Sequence, residues 1–301
     1  MLFIPAMTWA CSSQPTTTQT ATEETAEVAE VILPSIPQGT IYEKQDSLTV
    51  ESLLQEAKNL KPEENRMLFF GLKFTEIPYV AHTLEKGDGE VLVVNTRELD
   101  CTTFVETCLA LTLADKQDRR TFADYCDILT QIRYRQGVRD GYTSRLHYFT
   151  QWVIDNEQMG FIEDVAHEGA PFTAIQDIDL HFMSTHPDSY SKLKGKTDEI
   201  QIIKAQEEEL KGLKVKYIQN KLLNGTPEEL KDVQDGDIIG LQTTMDGLDT
   251  SHLGIACWKN GKLHLLNASS LHKAVWVDKK DLHTYSASQK SMIGIRVLRV
   301  K

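Results

Sequence analysis

From Asp237 onward this chain is written in strand grammar, whereas most apolar residues before that point recur with a helical period. That division restricts the fold more than any composition does. The runs 237–241, 253–258, 262–266, 274–277 and 293–300 are short and rich in β-branched or aliphatic residues. Asn260-Gly261 supplies a two-residue hairpin turn between the second and third of them. Helical runs followed by such strands predict an α+β domain, with N-terminal helices packed on a C-terminal antiparallel sheet.

The helical half is read from spacing. Val50, Leu53, Leu54, Ala57 and Leu60 mark one helix, which Lys61-Pro62 ends. Pro62 suits the first turn of a second, carrying Met67, Leu68, Phe70 and Leu72. Pro78 rules out a continuing helix, so Tyr79 opens an extended segment or loop. A Gly87-Asp88-Gly89 turn and the β-rich Val91-Leu92-Val93-Val94 then lead to Cys101. Phe104, Val105, Cys108, Leu109 and Thr112 predict a helix starting at that cysteine, and 121–135 predicts another, stopped by Gly137. Arg145, His147, Tyr148 and Trp152 crowd together in a way that fits a ligand-facing surface and an amphipathic helix start equally well. Stretch 160–197 gives no clear elements, and its His167, His181 and His186 lack metal-ligand spacing. A half-buried helix follows from Thr197 to Lys211, and Thr226-Pro227-Glu228-Glu229 has the pattern of a capped helix start.

Charge and cysteines exclude several function classes. With 44 acidic against 32 basic side chains, a formal charge of −12 and no cationic run, the chain lacks what phosphate backbones require, so nucleic acid is not an expected partner. The five cysteines, Cys11, Cys101, Cys108, Cys126 and Cys257, show no CxxC spacing, so neither zinc nor another metal or cofactor is expected. Cys101 and Cys108 stand about 10 Å apart on one helix, beyond disulfide reach. Cys108, Cys126 and Cys257 read as buried packing residues.

Residues 1–11 form a short apolar run ending in Ala10-Cys11, which resembles the end of a bacterial lipoprotein signal with Cys11 as the lipidated residue. No Lys or Arg precedes the run, as a secretory signal would require, so the expectation is either a true start upstream or a misassigned gene start. Residues 12–40, rich in Thr, Ala, Pro and Glu, read as a disordered linker with a reach of about 30 Å. The expected arrangement is a domain over 41–301 that meets a membrane only through its N-terminal lipid, outside the cytoplasm in the cell envelope (periplasm).

Cys101 is the residue with chemistry in reach. Unpaired N–H groups and the positive dipole end of a helix favour a thiolate there. Taken alone, its octapeptide fits a packing cysteine as well as a nucleophile. A nucleophile needs a base and a group that orients the base. His252 begins one strand of the Asn260-Gly261 hairpin and Asn267 ends the next, so counting back from the turn places both near the open end. His264 falls on the opposite face from Asn267 by strand alternation.

Tyr79 in Pro-Tyr-Val, Leu99-Asp-Cys-Thr-Thr-Phe-Val-Glu106, Arg145-Leu-His-Tyr-Phe149 with Trp152, Asp235-Gly-Asp-Ile-Ile239, Gly247-Leu-Asp-Thr-Ser-His-Leu-Gly-Ile255 and Leu265-Leu-Asn-Ala-Ser-Ser270 occur in that order. Over roughly residues 45–300 this set resembles the N-acetylmuramoyl-L-alanine amidase-like family of the NlpC-type, papain-like cysteine peptidase superfamily. The resemblance implies a papain-like NlpC-type fold, with Cys101 as nucleophile, His252 as base, Asn267 as third polar residue and Tyr79 beside the thiolate. It implies a hydrolase that cuts the amide between N-acetylmuramic acid and L-Ala in peptidoglycan stem-peptide fragments (muropeptides). Arg145 is expected to pair with a stem-peptide carboxylate, with His147 and Tyr148 beside it. The competing readings are an endopeptidase cutting between D-Glu and the diamino acid, and a lipoprotein that binds wall fragments without cutting them.

Overall fold

The computed structural model describes residues 35–301. The expected lipidation at Cys11 and residues 12–34 of the expected linker lie outside the described residues. Five helices come first: α1 (Lys44–Ala57), α2 (Arg66–Lys73), α3 (Cys101–Lys116), α4 (Phe122–Arg133) and α5 (Phe149–Gln158). Then follow β1 (Ile162–Asp164), β2 (Ala174–Asp177), α6 (Phe182–Thr185), α7 (Thr197–Glu209) and β3 (Lys214–Gln219). The C-terminal part holds β4 (Ile238–Thr243), β5 (Thr250–Lys259), β6 (Lys262–Ser269), β7 (Ala274–Val277), α8 (Leu282–Ala287) and β8 (Met292–Val300). The strands pair antiparallel in the order β2-β3-β8-β4-β5-β6-β7, and β1 joins β8 separately. This is the α+β architecture that the division of patterns predicts.

Helix α3 is buried nearly all round, from Thr103 through Asp115, because α1, α2 and α4 flank it and the β5–β6 hairpin lies beneath it. Phe104, Val105, Cys108 and Leu109 share one core with Leu253, Ile255, Leu266 and Ala268. The opposite face of the sheet packs Ala256, Leu263 and Leu265 against Leu230, Leu282 and Met292. A third cluster joins Tyr142 and Tyr148 to Met183 and Ile203 of α6 and α7.

Several local expectations change. Val91–Val94 does not form a strand; only Val93 bridges Ile41, since the neighbouring backbone is occupied by the α1 entry. Helix α2 begins at Arg66, after a turn at Pro62, because Asn65 rather than a residue before Pro62 caps it through Leu68 N–H. The Thr226 motif makes its capping contacts with Glu229 without a helix behind them. A local cap does not supply the buried stripe a helix needs. The stretch 160–220 holds β1, β2 and β3, too short and mixed in burial for an alternation to stand out.

The β5–β6 hairpin turns through Asn260 and Gly261, both with positive φ, and pairs Lys259 with Lys262 and Ile255 with Leu266. On β5, Leu241 opposes His252 but Gln242 opposes Thr250, so Ser251 is the extra residue of a β-bulge. Three residues on, Gly254 lies where a Cβ would come within 2.7 Å of the Leu265 side chain and 2.9 Å of Leu266 O. Glycine is therefore required for β6 to approach β5 between His252 and Asn267. Gly254→Ala is expected to lower stability by about 1–3 kcal/mol through overpacking, read from the urea midpoint.

Candidate active site

Asp100 caps α3: Thr103 N–H donates to its Oδ1 at 2.8 Å, and Asp100 N–H donates to Thr103 Oγ1 at 2.9 Å. Cys101 is thereby held at the first helical position, where its own N–H has no intrahelical acceptor. The chain arrives there through a seam. Tyr79 N–H donates to Lys273 O at 2.9 Å, Val275 N–H to Ile77 O at 2.8 Å, and Val80 N–H to Leu99 O at 3.1 Å. Residues 77–80 thus tie the outer strand β7 to the segment entering α3, which sets Cys101 against the sheet that carries the other residues.

His252 and Asn267 meet across the hairpin, with Nε2 2.9 Å from Asn267 Oδ1. Asn267 is 1% exposed, and its Nδ2 donates to Leu265 O at 3.3 Å and lies 3.5 Å from Trp276 O. Those carbonyls orient the amide, so Oδ1 accepts from His252 Nε2–H and Nδ1 is left as the bare ring nitrogen. The Cys101 thiol lies beside the imidazole, close enough for each group to shift the titration of the other. Burial pushes the thiol up, but the charge and hydrogen bond of His252, with Leu253 N–H, outweigh it and bring Cys101 below its ordinary value. Burial pulls His252 down, and the thiolate together with the Cys101 and Asn267 hydrogen bonds brings it above its ordinary value. Both shifts favour a thiolate–imidazolium pair.

Tyr79 is half-buried next to this pair. Burial and then the negative charge of Cys101 push its hydroxyl up, and that hydroxyl makes no hydrogen bond among the described residues. A cleft of about 110 Å³ opens on one side of Cys101, lined by Val105, Glu106, Leu146, His147, Phe149 and Trp152 together with Ser251 and His252. On the other side of His252 a wider groove is lined by Ser269, Ser270, Leu271, Tyr285 and Gln289.

Leu146, His147 and Tyr148 border the cleft while Arg145 does not, and two of the segment's expected roles change. Arg145 is 8% exposed and is held by Glu90 in a fork, Nε–Oε1 2.9 Å and Nη2–Oε2 2.7 Å, with Glu85 at 2.9 Å from Nη1. Two carboxylates already surround one guanidinium, so Arg145 is no receptor for a substrate carboxylate. It pins the 85–90 loop instead. Tyr148 directs its hydroxyl away to Glu207 at 2.6 Å and accepts from Met183 N–H at 2.8 Å, a strut to α6 and α7. His147 borders the cleft, and its Nε2 faces Tyr142 O at 2.9 Å. His264 bonds Asp278 O, away from Asn267.

Glu106 carries no role in the sequence reading although it ends the cysteine motif. It is 2% exposed, and Arg133 Nε donates to its Oε2 at 2.7 Å. A charge inside the otherwise uncharged, mostly apolar run 104–111 is the signal that marks it, since such a charge needs a partner.

Residues 69–295 match the family described as AmiA-like, N-acetylmuramoyl-L-alanine amidase-like. Among solved structures, the chain is similar to an N-acetylmuramoyl-L-alanine amidase from Bacteroides uniformis at 40% identity and a TM-score of 0.73, covering 82% of this chain and 99% of that one. A chain from Bacteroides fragilis carrying the name of a xylanase is 44% identical with a TM-score of 0.72, covering 77% of this chain and 99% of that one. A Legionella pneumophila protein at 21% identity and a TM-score of 0.66 shares the fold, covering 85% of this chain and 94% of that one. No curated protein matches the chain.

Two outcomes follow from the geometry. Iodoacetamide near neutral pH is expected to label Cys101 at least about tenfold faster than Cys108, Cys126 or Cys257, because burial raises those three, Cys126 to about 12. His252→Ala should abolish that advantage, read by mass spectrometry of labelled peptides. Arg145→Ala, which leaves the Glu90 carboxylate without a cation and with the Tyr134 hydroxyl as its remaining side-chain donor, is expected to lose about 3 kcal/mol of stability in a urea titration.

Proposed function

Because the chain belongs to the N-acetylmuramoyl-L-alanine amidase-like family, we propose that it hydrolyses the amide between N-acetylmuramic acid and L-Ala in peptidoglycan fragments by way of a Cys101 thioester. The observation that carries this reading is Cys101 beside the hydrogen-bonded His252–Asn267 pair at the edge of a cleft. A cysteine at a helix start facing a His–Asn pair on an antiparallel sheet also supports the papain-like, NlpC-type setting.

In this mechanism the Cys101 thiolate attacks the lactyl carbonyl carbon. The oxyanion is held by the Cys101 N–H and the Tyr79 hydroxyl, two donors beside the sulfur. His252 then protonates the L-Ala nitrogen as it leaves. In the second half, His252 takes a proton from water, which cleaves the thioester and restores the thiolate. Asn267 is the positioning residue that selects the tautomer of His252.

The name of the Bacteroides fragilis neighbour raises glycoside cleavage as another chemistry. That reaction commonly uses two carboxyl groups flanking the bond. Among the described residues, the cleft and the groove together present one, Glu106, already paired with Arg133.

The test is product mass after incubation with N-acetylmuramyl tri- and tetrapeptides. Free intact stem peptide is the expected product; a cut within the peptide would mean an endopeptidase, and binding without products a binding protein. Cys101→Ala should reduce turnover by about 10⁴-fold or more. The kcat/KM profile should be bell-shaped, falling in acid as the lowered Cys101 thiolate is protonated and in base as the raised His252 loses its proton. Asn267→Ala removes a bond that raises His252, so the alkaline limb should move to lower pH.

A further inference from the structure

The cleft beside Cys101 has a polarity of its own. Burial raises Glu106 above its ordinary value and the Arg133 charge pulls it back; Oε2 is taken by Arg133, whereas Oε1 makes no hydrogen bond among the described residues. His147 lines the same cleft. Its Nε2 faces the Tyr142 carbonyl and must donate to it, and burial followed by the Arg145 charge holds the ring down to about 3, so it stays neutral and Nδ1 keeps its lone pair. Nδ1 likewise makes no hydrogen bond among the described residues.

The remaining polar groups of the cleft are occupied or free to turn either way. Tyr148 is committed to Glu207 and Met183. Thr250 Oγ1 accepts from Gln242 Nε2 at 2.9 Å, and Ser251 Oγ donates to Leu241 O at 3.3 Å. The Trp152 indole N–H is buried without a partner and has no surface of its own. The nearby charges do not favour an anion either: Arg133, Arg135 and Arg145 are outnumbered by Glu85, Glu90, Asp100, Glu106 and Asp155.

We infer that Glu106 and His147 form an acceptor-only subsite that reads an amide N–H of the substrate next to the scissile bond and turns carboxylates away. The stem-peptide carboxylates then lie outside this cleft. A muramyl peptide offers three such donors: the sugar 2-acetamido group, the scissile amide and the Ala–Glu amide. All share the same chemistry, and a neutral amide N–H placed against a buried acceptor is bound through a bond that an N-methyl analogue cannot make. The subsite rests on the amidase reading only for the identity of the substrate.

The experiment uses the full chain carrying Cys101→Ala, so that binding is read apart from turnover. Calorimetry compares N-acetylmuramyl-L-Ala-D-Glu with three analogues, each N-methylated at one of its amides. One analogue is expected to bind about tenfold more weakly, and its identity names the donor. Methylation also adds bulk, so the same comparison is run in two further variants. In Glu106→Gln, Arg133 holds the amide oxygen and turns an NH₂ donor into the cleft. In His147→Phe, the ring remains against Tyr142 but the lone pair is gone, and the Glu106–Arg133 pair is untouched. The discrimination should shrink to within about twofold in at least one of them, whereas a purely structural role would weaken parent and analogue alike. The inference is overturned if the parent does not bind, if all analogues bind within about twofold of it, or if the discrimination persists in both variants. Dipeptide release by the protein with Cys101 intact is scored separately: its absence, with the binding pattern retained, would remove the amidase reading and leave the subsite standing.

Discussion

The bond from His252 Nε2 to Asn267 Oδ1 is the interaction on which the rest of the site depends. It forms because β5 and β6 keep a single register from the Asn260-Gly261 turn to Ile255 and Leu266, next to the two residues, and because Gly254 lets the two strands close. The bond settles which ring nitrogen carries the proton, and so which nitrogen is bare toward the sulfur. A slip of one residue would send one of the two side chains to the other face of the sheet. The bulge at Ser251 adds a local adjustment next to His252, where bulges commonly re-aim a side chain.

Cys101 reaches that pair through packing rather than through pairing. Helix α3 rests on the hairpin with Phe104 and Val105 in the same core as Leu266 and Ala268. Its first turn is fixed twice, by the Asp100 cap and by the seam from β7 through residues 77–80. A helix start so constrained holds a thiol where burial alone would disfavour the thiolate, and the imidazolium then reverses the balance. Buried charge recurs behind the cleft in Glu106–Arg133 and in Arg145 with its two glutamates. Such groups persist in a low-dielectric interior only when paired. Their arrangement leaves the cleft with acceptors to offer.

Much of this was legible from residue order. The helix spacings of α1, α3 and α4, the five C-terminal runs and the hairpin turn reappear where the patterns placed them, because each depends on contacts within a few residues of chain. Counting back from Asn260-Gly261 brought His252 and Asn267 together for the same reason. The weaker readings share one cause. Val91–Val94 has strand composition without a neighbouring strand, and Thr226 has capping chemistry without a stripe to bury.

What the sequence by itself determined is the α+β division, the helix that starts at Cys101 and the hairpin that joins a histidine to an asparagine. Local dihedral preference and periodicity suffice for these. Only the tertiary structure decided what the Arg145 segment does, because an arginine's role follows from the charges folded around it. Glu85 and Glu90 lie more than fifty residues away in the chain, and they, rather than a ligand, hold Arg145. The same holds for Glu106, whose neighbours Arg133 and His147 come from α4 and the approach to α5. Long-range pairing of buried charge leaves no period in a sequence, so the polarity of the cleft becomes visible only once the helices have closed around it.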